Sequence, residues 1–287
     1  MIPQVFFDTA YLAVDTETTG LMPHQGNRPF AISMTTYEGE DWYVRFEVNP
    51  FTRVVNYTDE LKEVLHLLTH RSVSGTRTAF HNASFDLGML YAAALQEGIP
   101  WNPLESTSGL PLRGVLDTVI LAHAANSARD TYALKPLCER VLNIPVGDQR
   151  DLQASVVAQR KTAKKLGWKL AEDVEADYHL ADPELCKTYA IQDTKRTIAL
   201  LKFLLPIVES TGPGPFSGLK EIVEMEHKFQ MAVLEMNIRG VRVNPTKIAE
   251  LKEYYQLAIT ENEKTMGELG FAKLNPRSSK QKLDVFC

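Results

Sequence analysis

Tyr11-Leu-Ala-Val-Asp15-Thr-Glu17-Thr-Thr-Gly20 is the stretch on which the fold is decided. An apolar approach ends abruptly in acid, the pattern of a buried strand whose last residues emerge at the rim of a sheet. The Thr18-Thr19-Gly20 run that follows breaks any continuation as a helix. Side chains alternate along an extended backbone, so Asp15 and Glu17 share one side while Thr16 takes the other. Two carboxylates presented together suit a hard divalent cation such as Mg²⁺. Spacing alone does not single them out. Glu38 and Glu40, Asp173 and Glu175, Glu224 and Glu226, and Glu261 and Glu263 repeat it without the apolar approach, and read as solvated surface charge.

Two elements further along add acids. Arg77-Thr-Ala-Phe-His81 has the character of a short strand, and Asn82 to Leu95 that of a helix with apolar Phe85, Met89 and Tyr91 to Leu95. Asp86 then falls in about the first turn. Pro183 to Leu205 reads as a second helix, in which Tyr189 and Asp193 are one turn apart on the same face. Acids from a strand end and two helices, separated by most of the chain, would converge on one point only if the fold brings those elements together.

In order, Asp15-Thr-Glu17, Asn82-Ala-Ser-Phe-Asp86 and Tyr189-Ala-Ile-Gln-Asp193 reproduce the DxE, NxxxD and YxxxD motifs. The chain therefore resembles the tyrosine subgroup of the DEDD superfamily of 3′-5′ exonucleases, over about residues 8 to 205. The resemblance implies an α/β class protein, an RNase H-like mixed sheet flanked by helices, as a first domain at 1–210, followed by a small helical C-terminal segment. It implies that Asp15, Glu17, Asp86 and Asp193 hold two divalent metal ions, Mg²⁺ with Mn²⁺ able to substitute, and that Asp15 bridges both. Tyr189 completes the catalytic set. A phenol titrates near 10, so its expected role is to orient the attacking water rather than to take its proton.

The same resemblance assigns substrate contacts to Thr18, Leu21, Asn82 and Phe85. Asn82 also fits a helix N-cap and Leu21 fits simple core packing. Family-A polymerase exonuclease domains carry an aromatic wedge beyond the helix that matches Leu134 to Leu142, but Val146-Gly-Asp-Gln-Arg150 contains no aromatic. His81, alone at a strand end, reads as a hydrogen-bonded structural residue, and Asp117, closing Gly114-Val-Leu-Asp117, as a support for the site.

Ser210-Thr-Gly-Pro-Gly-Pro-Phe-Ser217 is a cluster of breakers that marks a domain edge. Beyond it, Leu219 to Asn237 reads as a helix, Gly240-Val-Arg-Val243 as a short strand, and Asn244-Pro245 as the cap and first residue of a further helix with an apolar stripe of Ile248, Leu251, Tyr254, Tyr255 and Ala258. Met225-Glu226, Leu234-Glu-Met-Asn-Ile-Arg-Gly240-Val241 and Leu274-Asn275-Pro-Arg-Ser278-Ser-Lys280-Gln281 resemble the opening of the polymerase domain of family-A DNA polymerases, which makes 216–287 the start of an incomplete polymerase-like domain. No later palm or fingers motif follows. A polymerase divided over two genes and a chain cut short both account for that. The stripe on the last long helix is expected to be mobile, to pair with a separate polymerase portion, or to self-associate.

The resulting expectation is a metal-dependent 3′-5′ exodeoxyribonuclease that proofreads for a family-A-like DNA polymerase, acting on a single-stranded or frayed DNA 3′ end. A stand-alone RNase D-like exoribonuclease and a non-catalytic DNA-binding or polymerase-interface subunit are the alternatives. With 31 Lys and Arg against 36 Asp and Glu, a net charge of −5, the chain is no general nucleic-acid coat. Basic residues do gather at Arg150, Arg160, Lys161, Lys164, Lys165 and Lys169, which fit either phosphate contacts beside the site or a solvated helix face. Cys138, Cys186 and Cys287 show no CxxC spacing, which argues against a zinc site or disulfide framework and fits a reduced cytoplasm, bacterial or phage-infected. No charged leader with a long apolar core and no run of about 18 apolar residues is present, so neither export nor membrane insertion is expected.

Overall fold

A computed structural model describes residues 1–105, 112–145, 147–210 and 218–286. Most of the breaker cluster at 210–217, together with Val146 and Cys287, lies outside the described residues. The chain forms two compact units, Met1–Ile238 and Arg239–Cys287.

In the first unit α1 (Val5–Asp8) leads into β1 (Tyr11–Thr18), followed by β2 (Pro29–Thr36), β3 (Asp41–Arg45), β4 (Glu47–Val48) and β5 (Val55–Asn56). Then come α2 (Asp59–Ser74), β6 (Arg77–Phe80), α3 (Ala83–Gln96), β7 (Val115–Asp117), α4 (Thr118–Ala125), α5 (Leu134–Leu142), α6 (Asp148–Lys165), α7 (Pro183–Val208) and α8 (Leu219–Arg239). The main sheet is mixed and five-stranded among the described residues, in the order β3-β2-β1-β6-β7, while β4 and β5 pair separately. β1 runs antiparallel to β2 and parallel to β6; β6 is in turn parallel to β7. Parallel neighbours need helical crossovers, and α2 and α3 supply them. Every residue of β2 is buried, which requires cover on both sheet faces.

Hydrogen bonds identify those covers. Thr16 on β1 donates from its hydroxyl to Asp86 on α3, whereas Ser33 and Thr35 on β2 reach Ala190 and Thr194 on α7. Since Asp15 stands opposite Ser33 and Thr16 opposite Ile32, α3 and α7 occupy opposite faces. α7 starts firmly: Asp182 accepts from the backbone of Glu184 and Leu185, and Pro183 sits where no amide is needed. β1 ends as its sequence dictates, because Gly20 adopts φ +146° and a Cβ there would come 2.5 Å from the Asn27 amide. A fully buried guanidinium, Arg71, fastens the opposite end by donating to the carbonyls of Phe6, Thr9 and Arg77 and to the Thr78 hydroxyl.

The first unit takes in α8. α8 buries Val223 and Leu234 in the core clusters of the first unit, and its His227 and Gln230 bond to Asp117. The second unit contains α9 (Pro245–Glu268) and α10 (Ser279–Phe286). Asn244 caps α9 as its sequence indicates, accepting from the Lys247 amide. The strand expected at Gly240–Val243 does not form: the segment is irregular and Val241 and Val243 are exposed, since an isolated β-branched pair has no neighbouring strand to bond with. Ile248, Leu251, Tyr254 and Tyr255 on the α9 stripe are likewise exposed.

Candidate active site

β1 delivers Asp15 and Glu17 to the sheet face covered by α7, whose buried Tyr189 and Asp193 lie one turn apart. From the other face α3 contributes Asp86, 2% exposed, whose Oδ1 accepts from the Thr16 amide at 3.0 Å and the Thr16 hydroxyl at 2.7 Å. The residue between the two acids of β1 thus clamps the third. Asp193 is held by Arg196 at 2.8 Å and by Lys135 on α5 at 3.1 Å. All four sequence-predicted acids and Tyr189 gather at this end of the sheet.

Their electrostatics record the crowding. Burial first, and the Asp193 carboxylate second, push Asp15 from 3.8 up to about 7, with Lys135 opposing. Burial and then Asp15 push Glu17 up, Asp193 and Asp86 adding to it; Asp86 is raised by burial and by Asp15 despite its Thr16 hydrogen bonds. The Tyr189 phenol is pushed up by burial and by Glu17, which keeps it protonated and a hydrogen-bond donor. Among the described residues no three His, Cys, Asp or Glu side chains are set to hold one metal ion in this conformation. In this conformation Asp193 is paired with two cationic side chains and Asp86 is bonded to Thr16. The donor set nonetheless fits hard cations. It consists of carboxylates alone, more numerous than the positive charge beside them.

Support around the acids comes from Asp117, as its place at a strand end suggests, and from Asp177, which sequence pattern does not reveal. Asp117, 1% exposed, accepts from the amides of Asn82, Ala83 and Val119, and so caps α3 and α4 together. Asn82 occupies the cap position of α3 in a left-handed conformation (φ +78°) yet makes no side-chain cap bond and is exposed. Asp177, wholly buried, pairs with Arg53 and Arg160; Arg53 also donates to the carbonyl of Thr19 at 2.8 Å. This ties the end of β1 to the turn before α7. Arg160, read in sequence as one of a basic group, is therefore engaged structurally, whereas Lys161, Lys164, Lys165 and Lys169 are exposed.

Leu21 is 70% exposed rather than packed in the core, and Thr18 and Phe85 are half-buried. His81 has the structural role expected of it: Nε2 donates to the Tyr132 carbonyl, leaving Nδ1 for the Thr118 hydroxyl, and burial holds its pKa down. Cys138 and Cys186 are buried free thiols. Among the described residues no helix is long and apolar enough to cross a membrane.

A 3′-5′ exonuclease family model, of the DNA polymerase A type, matches residues 5–209. The chain belongs to this family. It is similar, at 21% identity over 271 residues, to the DNA polymerase DpoZ of Acinetobacter phage SH-Ab 15497, a match that takes in 93% of this chain and 37% of DpoZ. The chain thus spans little more than a third of the length of that relative. Its fold is similar to that of Brucella melitensis NrnC, with a TM-score of 0.53 and 19% identity over 84% of this chain and 91% of NrnC, a protein also solved with bound Mg²⁺ and bound to pGG. The POL domain of Pol1 from M. smegmatis, in complex with DNA primer-template and dNTP, is similar over 99% of this chain and 39% of its own, with a TM-score of 0.51 and 16% identity. The mixed sheet flanked by helices is therefore the RNase H-like architecture of these exonucleases, and the chain is a polymerase-related exonuclease.

Proposed function

We propose that this exonuclease hydrolyses phosphodiester bonds at DNA 3′ ends and serves as the proofreading part of a family-A-like polymerase, with Asp15, Glu17, Asp86 and Asp193 as metal ligands. One observation carries the reading: acids from β1, α3 and α7, remote in sequence, meet with Tyr189 at one end of the sheet in a cluster short of positive charge. Two divalent cations, when bound, supply an activated water and stabilise the leaving oxygen. The chain's own residues do the rest. Tyr189, kept neutral by its burial, donates a hydrogen bond that aims the water. Exposed Leu21 and half-buried Phe85 offer apolar surface to the terminal base. Asn82, freed from capping by Asp117, has its amide available for the terminal nucleotide, and Thr18 lines the approach. The 216–287 segment would join a polymerase portion.

DNA is favoured over RNA by the likeness to DpoZ and to the Pol1 POL domain. Digestion of matched 3′-labelled DNA and RNA oligonucleotides with Mg²⁺, using the Asp15/Glu17 double alanine as control, tests this. DNA should be shortened from its 3′ end only by the unaltered protein. Preferential digestion of RNA would replace proofreading with an exoribonuclease role, and full activity in the control would reject the site.

A further inference from the structure

Lys135 is one of two cationic side chains that pair with Asp193 in the acid cluster. It lies on the first turn of α5, which is anchored by buried Leu137 and Cys138. From there its side chain runs inward, 11% exposed, to place Nζ 3.1 Å from Asp193 Oδ2 and 3.6 Å from the centroid of the Tyr189 ring. One ammonium thus covers a proposed ligand oxygen and the aromatic face of the proposed water-orienting residue. Its charge also eases the repulsion felt by Asp15 and Glu17. The neighbouring Arg196 is of another kind: it holds the second Asp193 oxygen from the same helix, and its Nη2 is tied to the Pro145 carbonyl at 3.3 Å. A lysine on a flexible four-carbon stem can leave without moving backbone, which a tethered guanidinium cannot.

We propose that Lys135 is a built-in counter-ion, which partly neutralises the acid cluster when no divalent cation is bound and swings away, uncovering Tyr189 and Asp193, when one binds. The inference rests on the reading of those acids as metal ligands. Physically, a monovalent cation inside a carboxylate cluster competes with any divalent cation for the same oxygens, so metal entry must first release it. The sign of the consequence is distinctive. Loss of a residue with a merely structural role weakens both fold and metal binding, whereas loss of Lys135 should weaken the metal-free fold and strengthen metal binding.

Two measurements on the full chain test this. Amine-reactive labelling read by mass spectrometry, with and without Ca²⁺ or Mg²⁺ and no nucleic acid, should find Lys135 protected without metal and labelled with it, relative to exposed Lys161. Calorimetric Mg²⁺ titration of Lys135→Met should give a dissociation constant about tenfold smaller than that of the unaltered protein. Metal-independent protection of Lys135, or Mg²⁺ affinity in Lys135→Met that is equal or weaker, would overturn the proposal. If Lys135→Met fails to fold, labelling of the unaltered chain decides. Titration of the Asp15/Glu17 double alanine separates the two levels. Loss of Mg²⁺ binding there upholds the metal site and leaves the counter-ion role to stand or fall on the Lys135 measurements, whereas Mg²⁺ binding that survives it overturns the metal site and this proposal together.

Discussion

Replacing Asp15 by asparagine should raise the melting temperature of the metal-free protein, by an amount that grows with pH. In the folded chain Asp15 is raised from 3.8 to about 7, first by burial and then by Asp193, so the folded state holds this proton more tightly than the unfolded chain. A carboxyl of that kind stabilises the fold fully below about pH 4, and its contribution is lost as pH rises through about 7. Asparagine keeps the shape and carries no charge to lose. A rise from 3.8 to about 7 corresponds, at about 1.36 kcal/mol per pH unit, to about 4 kcal/mol. Water reaches this half-buried group and screens it, which leaves about 2 kcal/mol as the working figure. At about 2–4 °C per kcal/mol for a unit of this size, Asp15→Asn should melt about 4–8 °C above the unaltered protein at pH 8 in EDTA. The gap should open near pH 4 and level off above about pH 7. Adding Mg²⁺ should reverse the order, since a bound cation favours ionised ligands and the variant has lost one. Thermal melts from pH 4.5 to 8.5, with EDTA and with millimolar Mg²⁺, read this directly. An Asp15→Asn protein that melts below the unaltered one at pH 8 in EDTA, or a gap that ignores pH, would refute the picture of a charge-crowded site.

Three further outcomes follow from the geometry. Tyr189→Phe removes one hydrogen bond and no ligand, so kcat should fall about 10- to 100-fold while the Mg²⁺-induced melting shift persists; loss of that shift would make Tyr189 a part of the metal site itself. Asp177→Ala strands Arg53 and Arg160 in the interior and should cost about 3–5 kcal/mol in chemical denaturation, and a cost under about 1 kcal/mol would mean that the pairing between the end of β1 and the approach to α7 does not matter. Neutralising Lys161, Lys164 and Lys165 to glutamine should flatten the salt dependence of single-strand binding, measured by fluorescence anisotropy, if this face of α6 touches phosphates; an unchanged slope assigns it to solvent alone.

Much of the frame was legible because it is local. The apolar run into Asp15 and Glu17 gives a strand with acids at its rim; the periodicities after Asn82 and Pro183 give α3 and α7, and alternation alone correctly sends Thr16 to the opposite face. What sequence pattern hides is side-chain pairing across long separations. Lys135 is one lysine on a short amphipathic helix, and only the fold puts it beside Asp193; Asp177 lies in an acidic run whose other members are solvated, and nothing marks it as the partner of Arg53. Local pattern also misleads where a partner is missing. Val241 and Val243 have strand chemistry without a strand beside them. Asn82 is the reverse instance, a good capping residue by type whose task Asp117 performs from another element.

α8 gives the protein a seam in an unexpected place. Its Gln230 donates to the same Asp117 that caps the start of α3, and its Leu234 lies 3.8 Å from where a side chain on Gly88 would begin, so the helix carrying Asp86 leans on residues some 110 positions downstream of Asp117. Transplanting this nuclease into another scaffold by cutting at the glycine-proline run would discard a buttress, and a graft would have to carry the chain through about residue 238 to remain whole. Recombination between related genes meets the same restriction: a crossover between α3 and α8 must bring matched halves.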